Sequence, residues 1–100
     1  MKNETLCGHD KKHMRLGQVV ATPGAMAALQ HAGEDASTLL ERHQCGDWGD
    51  VDTHDWQLND TALRTGDQIV SAYTLRNEQQ VWVITEADRS ATTLLLPEDY

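Results

Sequence analysis

One hundred residues, 39% of them apolar and only two of them proline, confine the chain to one small globular domain, because a core of this size has no stability to spare for a second. Sixteen acidic residues oppose eight basic ones, a formal charge of −8. From Leu16 onward four arginines (Arg42, Arg64, Arg76, Arg89) face fourteen acidic residues, 4 − 14 = −10, so ordinary nucleic-acid binding, which depends on Lys and Arg displacing counterions, is disfavoured.

No stretch approaches the ~18 consecutive apolar residues of a membrane span, and the opening "MKNETLCGHDKKHMR" lacks the apolar run of a secretory leader. The expectation is a cytoplasmic protein without a membrane contact. Residues 1–15 are polar and without periodicity, which predicts a flexible tail, followed by a single domain over residues 16–100. Thr22-Pro23 then opens a helix, Thr22 as N-cap and Pro23 at the first helical position, and Gly33 stops it after about ten residues. Ala25, Met26, Leu29 and Ala32 supply its apolar side.

"EDASTLLERHQCG" predicts a second helix, opened by Asp35 or Ser37 and closed at Gly46, with Leu39 and Leu40 turned inward. Arg42 and His43 fall at its C-terminal end, where the helix dipole favours a proton on His43. After the turn "GDWGDVD", a third helix begins, with Asp52 as cap, Asp55 reaching back, Trp56, Leu63 and either Leu58 or Ala62 on the core side, and Gly66 at its end. The period then changes. Gln68–Leu75, Gln80–Glu86 and Ala91–Pro97 are β-branched and aromatic runs with short breaks, the pattern of an antiparallel meander. The expected class is α+β, with two or three N-terminal helices packed on one face of a C-terminal three-stranded antiparallel meander. Ala91–Leu96 would be an edge strand, and its three leucines would leave an apolar side chain available for a homodimer.

The chemistry-bearing residues gather at Arg42–Leu63. Cys7-Gly-His9 and His43-Gln-Cys45 hold the ligand types of a zinc site, but one intervening residue per pair is too few for the usual convergence, so no metal and no cofactor is expected. A Cys7–Cys45 disulfide is disfavoured in a cytosolic protein. An EF-hand counted from Asp50 fails as well, since its sixth position is Asp55 and its twelfth Thr61.

"LGQVVATPGA", "RHQCGDWGD", "SAYTL" and "VWVITEADRSATTLLLPEDY" together resemble a family of small uncharacterised proteins carried on plasmids and integrative elements of proteobacteria. The likeness runs from Leu16 to Tyr100 and is marked by GDWGD and by ITEADRS followed by TTLLLPE. It implies a mobile-element setting and no particular activity.

Two functions compete for the motif residues Arg42, His43, Asp47, Trp48, Asp50, Glu86, Asp88 and Arg89. In the first, the chain is a protein-binding or regulatory accessory module whose acidity occupies a basic surface on a host or element-encoded protein, including counter-defence by nucleic-acid mimicry. In the second, His43, Arg42, Tyr73, Arg89 and Thr92 meet on a concave face as the base, cations and hydroxyls of a metal-independent ribonuclease, in a helices-then-sheet order that looks like the barnase and RelE-type toxins. The first makes use of the charge and is preferred. On that reading Arg42, His43, Asp47 and Trp48 lock the GDWGD turn against the Glu86–Arg89 loop.

Overall fold

The computed structural model describes residues 14–100. Cys7, His9 and nearly all of the expected tail lie outside the described residues. Met14, ahead of the expected domain start, is buried against Trp48, Ala62 and Ile69.

The elements run β1 (Gln18–Ala21), α1 (Pro23–Ala32), α2 (Ala36–Gln44), α3 (Thr53–Thr65), β2 (Ile69–Thr74), β3 (Gln80–Thr85) and β4 (Ala91–Leu95), ending in a single 3-10 turn, Pro97–Asp99. The α+β class and the β2-β3-β4 meander are as the sequence pattern implies. The sheet itself is larger. It has four strands in the order β1-β4-β3-β2, and β1 pairs with β4 in parallel, Gln18 beside Ala91 and Ala21 beside Leu94. The three-stranded antiparallel description is therefore corrected to a four-stranded mixed sheet. β4 is an interior strand, which also removes Ala91–Leu96 as an edge for dimerisation.

β1 escapes a periodicity reading because four residues, "QVVA", are too few to show an alternation. It is held by partners distant in sequence, with Gln18 N–H donating to Ser90 O (3.0 Å) and Thr22 N–H to Leu94 O (2.9 Å). Gly17, at φ +66°, lies so close to the Ser90 carbonyl that a Cβ would overlap it, so the strand can start only from glycine.

The helix boundaries follow their local chemistry. Thr22 Oγ1 accepts from Ala25 N–H (3.1 Å), Asp52 Oδ1 accepts from Asp55 N–H (2.8 Å), and Gly33 and Gly66 close α1 and α3 in the left-handed region. The buried sides differ in detail. Met26, Leu58 and Leu63 are exposed, while Ala28, Asn59 and Ala62 take the core positions.

Strand pairing places Ile69, Ser71 and Tyr73 of β2 beside Thr85, Val83 and Val81 of β3, and Val83 and Thr85 beside Leu94 and Thr92 of β4. This face carries the core. Ala25, Ala28 and Leu29 of α1 and Leu39 of α2 pack on Tyr73, Val81, Val83 and Leu94, while Trp48 and Ala62 pack on Ile69. Between the two apolar clusters the same face presents Ser71, Thr85 and Thr92, all fully buried hydroxyls. Burying them requires hydrogen-bond partners.

Candidate functional site

The partner is His43. It projects from the last turn of α2 and is 0% exposed, with Nδ1 2.6 Å from Ser71 Oγ and Nε2 2.9 Å from Thr85 Oγ1. Thr85 Oγ1 lies 2.7 Å from Thr92 Oγ1, and Thr92 Oγ1 donates to Leu16 O at 2.8 Å. The end of this chain fixes the protons along it. A carbonyl can only accept, so the Thr92 hydrogen is committed to Leu16 and its oxygen must accept from Thr85. Thr85 then accepts from Nε2–H, which sets a hydrogen on that nitrogen. In a neutral ring Nδ1 is then the acceptor for the Ser71 hydroxyl.

Its basicity agrees with that assignment. Burial, seconded by the positive charge of Arg89, lowers the His43 pKa to about 4. The expected gain in proton affinity from the helix terminus is overridden, because a ring 0% exposed to solvent bears a charge only at a high desolvation cost. Trp48 closes the remaining side in an edge-to-face contact, centroids 5.6 Å apart and planes at 80°.

The GDWGD turn is built on β2. Arg42 Nε donates to Asp47 Oδ2 (2.7 Å) and its terminal nitrogen to Oδ1 (3.3 Å), while the guanidinium carbon lies 4.6 Å over the Tyr73 ring. The Asp47 contact raises the Arg42 pKa further. Tyr73 donates its hydroxyl to Asp47 O (2.7 Å), and burial raises its own pKa. Trp48 is fully buried with its indole N–H on Asp60 Oδ1 (3.0 Å). Gly49 forms a parallel bridge with Ala72, flanked by Ala72 N–H to Trp48 O (3.1 Å) and Asp50 N–H to Ala72 O (2.6 Å). Asp50 Oδ2 takes the Thr74 hydroxyl at 2.6 Å. Next along the strand, Asn59 of α3 donates to Val70 O (2.8 Å) and accepts from Val70 N–H (3.3 Å). The outward backbone groups of β2 at Val70 and Ala72 are thus capped.

The Glu86–Arg89 loop has a separate task. Arg89, at φ +61°, donates to the carbonyls of Asp67 (2.8 Å), Glu86 (3.1 Å), Ala87 (3.3 Å) and Ala62 (3.0 Å), which ties the β3–β4 turn to the end of α3. Asp88 accepts from Ser90 N–H at 3.0 Å, and its hydrogen bonds with Ser90 hold its pKa below the usual carboxylate range. Asp47 pairs with Arg42 and not with Arg89. The GDWGD turn therefore docks on β2 instead of the Glu86–Arg89 loop, and His43 is the side chain that spans from α2 to β2 and β3.

Of the five residues grouped for catalysis, His43 and Thr92 share one buried chain, Arg42 and Tyr73 share the Asp47 cluster, and Arg89 is committed to carbonyls. Ser71, Asn59 and Asp60 were missing from the candidate residues. Two had a readable signal: Ser71 alternates with Ile69 and Tyr73 on the inward face, and Asn59 falls between Trp56 and Ala62 on the core stripe of α3. Cys45, at the end of α2, is buried and disulfide-bonded, contrary to the expectation for a cytosolic thiol. Among the described residues no group of three or more His, Cys, Asp or Glu side chains is placed to hold a metal ion. No described helix is long and apolar enough to cross a membrane.

No protein-family model, curated protein or solved structure matches the chain.

Proposed function

We propose that the chain is a protein-binding accessory module whose acidic α3 side occupies a basic surface on a partner protein. The observation that carries this reading is a groove beside the capped β2 edge, lined by Val51, Leu58 and Val70 with Asp55, Asn59 and Gln68. Leu58 is 53% exposed there. From Asp47 to Asp67 the chain has six aspartates and a single arginine, Arg64. An apolar groove with the Asp55 carboxylate in its lining, on an acidic stretch of chain, suits a basic segment that also offers an aliphatic or aromatic side chain, with charge steering the encounter and the apolar contact slowing release. Competition with nucleic acid for such a segment, and counter-defence on a mobile element, are the finer form of the same proposal.

The ribonuclease alternative draws less support. A general base needs a free nitrogen within reach of substrate, and both His43 nitrogens are engaged in a fully buried ring. Capture from a bacterial lysate tests the choice. The wild-type chain is expected to retain a nucleic-acid-handling protein that raised salt releases, and Asp55→Lys with Leu58→Lys to lose it. RNA cleavage by the full chain, abolished in a folded His43→Ala variant, would overturn the proposal in favour of the ribonuclease.

A further inference from the structure

The two edges of the sheet are treated differently. Every outward backbone group of β2 at Val70 and Ala72 is capped, as described above. On β1 the bonds of Gln18 and Thr22 turn inward to β4, so the N–H and C=O groups of Val19 and Ala21 turn outward, and they have no partner among the described residues. Val19 and Val20 are each 43% exposed. β1 has none of the usual guards of a free edge, such as lysine, proline or a bulge.

Charge is divided the same way. Residues 16–33, which build β1 and α1, contain no Asp, Glu, Lys or Arg, whereas residues 34–100 hold all fourteen acidic side chains and all four arginines of the body. The carboxylate hydrogen-bonded to this segment is Asp99, which accepts from Thr22 Oγ1 at 2.7 Å. A basic partner finds nothing to pair with on β1 itself. A second copy, whose residues 16–100 carry the same −10, meets the least repulsion at this charge-free segment.

We propose that β1 is the seam of a two-fold homodimer in which the two sheets join into one, independently of the acidic-face reading. The spacing of the outward groups makes the strand self-complementary. With the two-fold axis at Val20, Val19 of one copy exchanges both backbone hydrogen bonds with Ala21 of the other, and Ala21 with Val19, four bonds in all. The two Val20 side chains meet as a non-hydrogen-bonded pair, with Cα atoms ~4.5 Å apart. Pro23, lacking an N–H, ends the seam on each side. Val19 lies on the helix face beside Thr92, the face on which α1 presents Met26, 53% exposed.

Sedimentation equilibrium of the full chain tests this. The wild-type chain is expected to approach twice its 11.2 kDa as concentration rises, more readily at high salt, because screening relieves the repulsion of the acidic bodies. Val20→Lys should weaken the association at least about tenfold by opposing two like charges across the seam, with the far-UV spectrum unchanged, and Leu58→Lys should leave it intact. A wild-type chain that stays monomeric, or a Val20→Lys chain that dimerises equally well, would overturn the proposal. If Val20→Lys does not fold, hydrogen exchange on the wild type decides: the Val19 and Ala21 amides must slow with concentration, and concentration-independent exchange contradicts the seam.

Discussion

Replacing Gly49 by alanine is the sharpest perturbation of the GDWGD turn. Gly49 sits at φ +77°, and an added Cβ would overlap Ala72 O while lying 2.7 Å from Tyr73 Cδ1. Two costs follow. Holding alanine in the left-handed region costs about 1–2 kcal/mol. The overlap with a backbone carbonyl cannot be relieved by a side-chain rotation, so the turn must lift from β2 and lose the Asp50–Ala72 and Trp48–Ala72 hydrogen bonds, about 1 kcal/mol each. The sum is about 3 kcal/mol, or a fall of about 1.5 M in the urea midpoint at a slope of about 2 kcal/mol/M. Gly33 is the control, since it has φ +69° and nothing within 4 Å of its would-be Cβ. Gly33→Ala should incur only the conformational cost. Equal urea midpoints for the two variants would refute the docking of the turn on β2.

Stability should also respond to acid through His43. Its pKa is lowered from 6.5 to about 4 in the folded chain, so the unfolded chain takes up a proton first; the contribution is complete above pH 6.5, declines as pH falls, and is gone at about 4. The total is up to about 3 kcal/mol, and the slope between those values, read by urea titration at stepped pH, should flatten in His43→Gln. Thr92→Val removes the donor to Leu16 and the acceptor for Thr85, and should cost about 2 kcal/mol by the same titration. Asn59→Leu leaves the Val70 N–H and C=O without partners and should accelerate exchange of the Val70 amide well beyond that of its neighbours on β3, at a stability cost of about 1–2 kcal/mol.

The parts of the fold written in neighbouring residues were legible in the sequence. Thr22-Pro23 with Gly33, Asp52 with Gly66, and the alternation of β2, β3 and β4 each encode an element within one stretch. β1 was not legible, because it exists only where β4 is already present to receive it. The buried chain was half legible: His43 stood out, but its role depends on Ser71, Thr85 and Thr92, 28, 42 and 49 positions away, and no local pattern says that strand hydroxyls will line up beneath a helix end. The docking surface of GDWGD was misplaced for a related reason, since Asp47 could pair with Arg89 or with Arg42, and only the fold decides. The acidity was visible from composition, while its absence from one pole emerged when β1 and α1 were placed side by side.

The charge and tautomer of His43 separate a lock from a working base. Long-range proton–nitrogen correlation spectra of the full-length chain, followed from about pH 7 to about pH 5, should show hydrogen on Nε2, a bare Nδ1 and no titration over that range. A ring that takes up a proton near 6.5, or that carries its single hydrogen on Nδ1, would contradict the buried chain of hydroxyls and return His43 to the candidates for catalysis.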